Sequence, residues 1–241
     1  MSSSRATSVA GPDESILAAV PLFAGLDGAA RSAVMAAAQL RRVAAGRAVF
    51  RQDDEASDFF VLLEGHLKAV QIDSAGRQIL IHFVYPNEFF GCVALMEGQR
   101  YPASLLAIAD SVVLGWSRAE TGSLLRRHPA VAANALNGFG GRMLEFQTRL
   151  RESQIHKADR RIAQALLHLA QHRGRKTECG ITIDFPVTRQ DVAEMAGTTL
   201  HTASRTIAAW DKQGILSCGR QWIEVTDIAR LATLAQQDDE S

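Results

Sequence analysis

Between Thr188 and Gln213 the chain reads TRQDVAEMAGTTLHTASRTIAAWDKQ, and few folds accommodate that order of residues. Thr188 can cap a helix by accepting a hydrogen bond from a backbone N–H of the next turn, and the segment to Ala196 is helical in character. Gly197 supplies a tight turn, Thr198 or Thr199 can cap again, and Leu200 to Gln213 reads as a second helix. Two short helices joined at a glycine have the anatomy of a helix-turn-helix. The next segment, ILSCGRQWIEV, alternates about a Gly-Arg turn and reads as a hairpin wing. In such a unit His201, Thr202, Ser204 and Arg205 lie in the first turns of the second helix, the part that reaches base edges of double-stranded DNA. Arginine can donate two hydrogen bonds to guanine, and His, Ser and Thr can bond bases or phosphates.

Charge supports placing a phosphate contact here rather than elsewhere. The whole chain carries 26 Lys and Arg against 26 Asp and Glu, a balance that by itself argues against nucleic acid. From Gln147 to Gln237, however, 13 Lys and Arg stand against 9 Asp and Glu, so the C-terminal part is the more basic. Three widely spaced cysteines, Cys92, Cys179 and Cys218, match neither a disulfide framework nor a zinc knuckle, and a reducing cytoplasm is the expectation. No apolar stretch is long enough to cross a bilayer, so no membrane partner is expected. The first 14 residues are small and polar and the last four are acidic; both ends are expected to fray.

Upstream, the patterning divides in three. Ser15 to Leu40 reads as helical, with Ile16, Leu17, Val20, Leu26 and Val34 near a 3.6 period. From Val43 to Trp116 short apolar runs alternate with turn residues: Phe59 to Gly65, His66 to Ile72, Arg77 to Val84 and Ser111 to Trp116. Such spacing indicates a compact antiparallel barrel or sandwich. After His128-Pro129, apolar residues fall at Ala132, Leu136, Phe139, Met143, Phe146 and Leu150, an a/d heptad seam. The seam faces either the same helix of a second copy or the chain's own barrel. Gly138, Gly140 and Gly141 interrupt it, each costing roughly 1 kcal/mol of helix propensity relative to alanine, which points to close backbone approach or a segment with two states. Ala158 to His172 is a further helix, RGRKTECG reads as a loop, and ITIDFPV is a strand leading into the first motif.

The order of barrel, long heptad helix and winged helix-turn-helix resembles the Crp/Fnr family of bacterial transcription regulators, over about Leu22 to Leu234. FFVLLEGHLKAV, ADRRIAQALLHLA and VTRQDVAEMAGTTLHTASRTIAAWDKQGIL carry the likeness. The resemblance implies an α+β fold. Its parts are a disordered tail (1–14), a β-barrel or jelly-roll sensor resembling cyclic-nucleotide-binding domains (15–128), a dimerisation helix and hinge (129–157), and a DNA-binding domain (158–237). It further implies a homodimer on an inverted-repeat operator, with RNA polymerase as a partner if the protein activates. Thr188, Arg189 and Gln190 match phosphate-contacting positions, Thr199 and Thr202 match backbone contacts, and Arg205 matches the arginine that reads guanine. Ser204-Arg205 is more similar to the fumarate and nitrate reduction branch than to the cyclic-nucleotide branch. His201 departs from the glutamate usual at its place in both.

The sensor departs further. Cyclic-AMP-binding relatives hold the phosphate with a glutamate and an Arg-Ser pair in the loop corresponding to Asn87 to Ala103. Here Glu88 is present, but Tyr101-Pro102 fills the Arg-Ser place, with Arg100 one position early. The polar pair that binds adenine falls on Phe146 and Gln147. Losing the charge-assisted contact, typically about 1.5–3 kcal/mol, disfavours cyclic AMP. An iron–sulfur cluster is disfavoured because three scattered thiols cannot replace four ligands. Haem stays open through His66, His82 or Cys92, each of which also suits a structural role. An unidentified small-molecule effector, or control by abundance, remains. Enzymatic chemistry finds no phosphate-binding glycine loop, nucleophile elbow or HExxH spacing, and His156, His168 and His172 have no acidic or cysteine companion for a metal.

Overall fold

The computed structural model describes residues 15–74, 76, 78–155 and 157–236. The window Ser15 to Leu40, read as helical, holds α1 (Ser15–Ala18), a 3-10 turn at Pro21–Phe23 and α2 (Gly28–Ala36). Three residues explain the breaks. Pro21 lacks the N–H a continuing helix needs, Gly25 takes a φ of 86°, and Asp27 caps a new start by accepting from the Ala30 amide at 2.7 Å. The last part of the window is strand.

Eight strands follow: β1 (Gln39–Val43), β2 (Ala48–Phe50), β3 (Asp58–Glu64), β4 (Leu67–Ile72), β5 (Gln78–Val84), β6 (Phe89–Phe90), β7 (Ser104–Ala107) and β8 (Ser111–Ser117). They form two antiparallel sheets in the orders β1-β8-β3-β6 and β2-β7-β4-β5. The unbroken apolar run of β3 is explained by burial on both faces. Phe60 and Leu62 join Leu67, Val84 and Leu105 inside the barrel, whereas Phe59 and Val61 pack with Leu17, Phe23 and Trp116 under the N-terminal helices.

Ser117 then opens α3 (Arg118–Arg127) with a reciprocal capping box to Glu120. The long helix α4 (Pro129–Ile155) follows. One side of it lies on its own barrel: Val131 is buried, Asn134 donates to the carbonyls of Leu22 and Ala24, and Gly138 meets Phe89. A Cβ at Gly138 would come within 2.7 Å of the Phe89 ring, so this glycine permits close approach; Gly140 and Gly141 face open space. The other side is an apolar stripe of Leu136 (73% exposed), Phe139, Met143, Leu144 and Phe146. The side chain of Leu150 lies outside the described residues, as does His156.

The C-terminal part comprises α5 (Ala158–Arg173), β9 (Gly174–Lys176), β10 (Ile181–Ile183), α6 (Arg189–Met195), α7 (Leu200–Lys212), β11 (Leu216–Cys218), β12 (Ile223–Val225) and α8 (Ile228–Gln236). The segment RGRKTECG, read above as loop, contributes β9 to the sheet β11-β12-β10-β9. The Thr177 hydroxyl accepts from the amides of Cys179 and Gly180, closing a turn that folds Gly174–Lys176 back onto β10. Ile162, Leu166 and Leu169 of α5 form the core of this part with Val192, Ile207, Ile223 and Leu231. The same cluster runs on into Val70, Leu80, Phe83 and Tyr85 of the barrel, so the two parts are packed together.

Candidate nucleic-acid interface

The helix-turn-helix is built by local capping. The Thr188 hydroxyl accepts from the Asp191 amide at 3.1 Å, and the Asp191 carboxylate accepts from the Thr188 amide at 3.0 Å, a reciprocal box at the start of α6. Gly197 takes a φ of 58°, a left-handed turn that favours glycine. Thr199, rather than Thr198, caps α7 by accepting from the Thr202 amide at 3.2 Å. Along α7, Ala203, Thr206, Ile207 and Trp210 are buried. That leaves His201 and Arg205, one turn apart, exposed on the outward face, with Thr202 and Ser204 half-buried beside them.

Two positioning residues escaped the sequence reading. Arg161 of α5 donates from Nε to the Ala196 carbonyl at 2.7 Å and from Nη2 to the Gly197 carbonyl at 3.1 Å, which clamps the turn. Asp159 accepts from the Thr206 hydroxyl at 2.7 Å and ties α7 to the start of α5. The available signal was the segment ADRRIAQ, whose charged residues sit too near an apolar face to be mere solubilising groups. At the wing, Arg220 and Trp222 are exposed in the β11–β12 turn.

Residues expected at phosphates differ in availability. The Thr188 hydroxyl donates its proton to Asp191 at 2.6 Å, so its one donor is already committed. Gln190 is exposed, with its amide donating to Glu194 at 2.6 Å. Arg189 is half-buried, and its Nη2 lies 3.8 Å from the Cys218 sulfur of the wing. Burial raises the Cys218 thiol pKa, and the adjacent Arg189 opposes that rise.

Comparison with known proteins gives two family matches: the cyclic nucleotide-binding domain over residues 40–128 and the Crp-like helix-turn-helix domain over residues 160–234. The cyclic AMP receptor protein of Thermus thermophilus is 27% identical over 215 residues, 89% of this chain and 96% of the relative. The nitrogen fixation regulation protein FixK of Bradyrhizobium diazoefficiens is 26% identical over 201 residues, 81% of this chain and 82% of its own. The chain belongs to the Crp/Fnr family of transcription regulators. A crystal structure of a Crp-family regulator from Thermus thermophilus superposes with a TM-score of 0.69 at 24% identity, covering 83% of this chain and 98% of that one. These relatives are transcription regulators rather than enzymes.

Within this Crp/Fnr chain, the five residues offered for an effector pocket do not converge. Tyr101 is 3% exposed, with its ring stacked 3.6 Å from Phe50, which in turn packs near Phe60 and Phe90. Its hydroxyl donates to the Asp58 carbonyl at 2.7 Å, and burial raises its pKa. The ring at the Arg-Ser place therefore belongs to the barrel's aromatic core. Arg100 is exposed and donates to the Asp53 carbonyl at 2.5 Å. Glu88 accepts from the Tyr85 amide at 3.2 Å and from Arg173 of α5 at 2.7 Å, an ion pair between the barrel and the DNA-binding part. Phe146 and Gln147 are exposed on α4, and Glu88 and Phe146 line one cavity.

A second joining contact is Lys68 of β4 to Asp191 of α6 at 2.8 Å. His66 stacks on Phe185 at 4.6 Å, and its pKa is lowered chiefly by burial. Among the haem candidates, His66 is thus engaged in the packing between the two parts. His82 lines the shared cavity, and the Cys92 thiol, in a 3-10 turn, has its pKa raised by burial. His168 and His172 stack at 4.3 Å, and among the described residues no group of three or more His, Cys, Asp or Glu side chains is arranged for a metal. No described helix is long and apolar enough to cross a membrane.

Proposed function

We propose that this regulator works in the cytoplasm as a homodimer on an inverted-repeat operator, joined along α4 and reading bases with α7. The observation that carries this reading is the pair of outward faces on one rigid path. His201 and Arg205 stand exposed on a helix held by Arg161 and Asp159, while Leu136, Phe139, Met143 and Phe146 stand exposed on α4. An apolar stripe of that spacing suits a parallel partner helix, and a two-fold axis through it presents two recognition helices about one helical turn of DNA apart. In this scheme Arg205 reads guanine, and Arg189, Gln190, Thr199 and Thr202 meet the backbone, with Thr188 serving mainly as the cap. RNA polymerase is the further partner if the protein activates. A neighbour in sequence is named for cyclic AMP, but Tyr101 in the aromatic core of this barrel supports a different effector.

The experiment is in-vitro selection of DNA sites with the parent protein, followed by sedimentation of Phe139→Glu. Selected sites should show dyad symmetry, and the variant should sediment as a monomer at concentrations where the parent is a dimer, because a charge enters a desolvated seam. Sites without symmetry, or a variant as dimeric as the parent, would overturn the scheme.

A further inference from the structure

Two ion pairs join the barrel to the DNA-binding part, and they differ in burial. Arg173–Glu88, at 2.7 Å, is partly exposed, with side-chain exposures of 33% and 32%. Lys68–Asp191, at 2.8 Å, is far more enclosed, at 18% and 2%. Exposed pairs contribute little, whereas taking both charges of a pair out of water is costly and calls for a reason beyond adhesion. Adhesion is already supplied by apolar packing around the pair: Val70, Leu80 and Phe83 of the barrel share one core with Val192 and Ala193 of α6.

The reason lies in what Asp191 does for α6. Its Oδ2 accepts from the Thr188 amide and hydroxyl, at 3.0 and 2.6 Å, which closes the cap without help from the barrel. Both of those donors are neutral, so the cap leaves a full negative charge inside the protein. That charge follows directly on Arg189 and Gln190, the side chains proposed to meet the DNA backbone. The Lys68 ammonium bonds to Oδ1, the oxygen that the cap does not use. Among the described residues it is the one cation paired with that carboxylate. Lys68 sits in register with Phe83 of β5 on one side and Leu106 of β7 on the other, so the ammonium is carried by a central strand rather than a loop.

We propose that Lys68 is a positioning residue for DNA binding: the barrel lends one positive charge to the capping carboxylate of α6, so that Arg189 and Gln190 meet phosphate with no bare anion behind them. This deepens the regulator reading and rests on it. An uncompensated carboxylate repels the phosphates that Arg189 attracts, whatever the base sequence, and salt screens that repulsion. The compensation is also conditional on docking, because it is lost when the barrel and α6 separate. The pair involves neither α4 nor its apolar stripe, so it is the same in a lone chain and in a homodimer joined along that stripe.

The test is binding of the full-length protein to its selected operator and to a mismatched one across a salt series. The variants are Lys68→Met, Lys68→Arg, Asp191→Asn and the double variant Lys68→Met/Asp191→Asn. Lys68→Met should weaken both DNAs alike, by about tenfold near 0.05 M salt, with a salt slope shallower by about one. Lys68→Arg should keep most of the parent's affinity. Asp191→Asn retains an oxygen for the Thr188 amide, removes the anion, and should bind both DNAs more tightly than the parent. The double variant has neither charge and should bind within about threefold of the parent. A merely structural rivet gives a different pattern: a loss equal at every salt concentration, and a double variant no better than Lys68→Met. Either result overturns the proposal, as does Lys68→Met binding like the parent or Asp191→Asn binding more weakly than it. Where Lys68→Met fails to fold, Asp191→Asn and the double variant decide by the same comparisons with the parent. A parent that selects no DNA site sinks the regulator reading together with this one; a parent that binds while the variants disobey sinks this one alone.

Discussion

The barrel and the helix-turn-helix differ in how far along the chain their polar groups reach. In the helix-turn-helix the caps are short-range, Thr188 with Asp191 and Thr199 with Thr202 each three residues apart, with Arg161 and Asp159 of α5 added as longer clamps. Capping fixes where α7 begins, and its buried stripe then fixes that His201 and Arg205 point outward. In the barrel the informative residues act across the chain. Tyr101 bonds to Asp58, 43 positions away, and Glu88 bonds to Arg173, 85 positions away. The segment from Glu88 to Tyr101 thus contributes to a core at one end and to a joint at the other.

The largest expected effect tests the barrel side of that contrast. Tyr101→Ala removes a buried, stacked ring and should cost about 3–5 kcal/mol of folding stability, the usual range for loss of a large aromatic from a core. Urea unfolding measures it. Arg205→Ala, on an exposed face, should leave the same unfolding curve within about 0.5 kcal/mol. Tyr101→Ala as stable as the parent would mean that the ring is dispensable filling, and the contrast between the two regions would fail.

The next effect tests the recognition side. Arg205→Ala should lose roughly 1–3 kcal/mol of binding per half-site and relax preference at one base pair. Arg189 lies at the start of α6, and Arg189→Ala should weaken matched and mismatched sites alike while making the salt dependence shallower. Binding of both variants to matched and single-mismatch operators at several salt concentrations separates the roles. If Arg205→Ala keeps full discrimination while Arg189→Ala loses it, the assignment is inverted.

Legibility in the sequence follows the same division. The antiparallel barrel, the long helix and the winged helix-turn-helix are readable because period, caps and turn glycines act locally. The N-terminal window misleads because its apolar spacing persists across Pro21 and Gly25, whose breaks outweigh periodicity. Strand β9 is hidden because GRK has no apolar alternation; it is a strand through pairing with β10, not through burial. The joint has no local signal: Glu88 reads as part of a ligand loop and His66 as a haem candidate, and only the fold brings Arg173, Phe185 and, at Lys68, Asp191 against them.

The smallest effect concerns that joint and titrates. His66 stacks on Phe185 and meets Tyr85 edge-on, at 4.6 and 6.0 Å. Burial lowers its pKa below the ordinary 6.5; Asp184 pulls it back up and Arg173 pushes it further down. A base with a depressed folded pKa takes up a proton on unfolding in the window between its folded value and 6.5. The stability that its neutral form supports is therefore complete above pH 6.5 and is lost as pH falls below that toward the folded value. The slope from one such group cannot exceed about 1.4 kcal/mol per pH unit. His66→Phe keeps an aromatic ring for the stack and removes the titration. Urea unfolding at steps from about pH 7.5 to about 5.5 should show the parent falling more steeply than His66→Phe below 6.5, with parallel curves above it. If the two curves stay parallel across the whole range, His66 is as well solvated in the folded chain as in the unfolded one, and the close packing of barrel on DNA-binding part is not what holds it neutral.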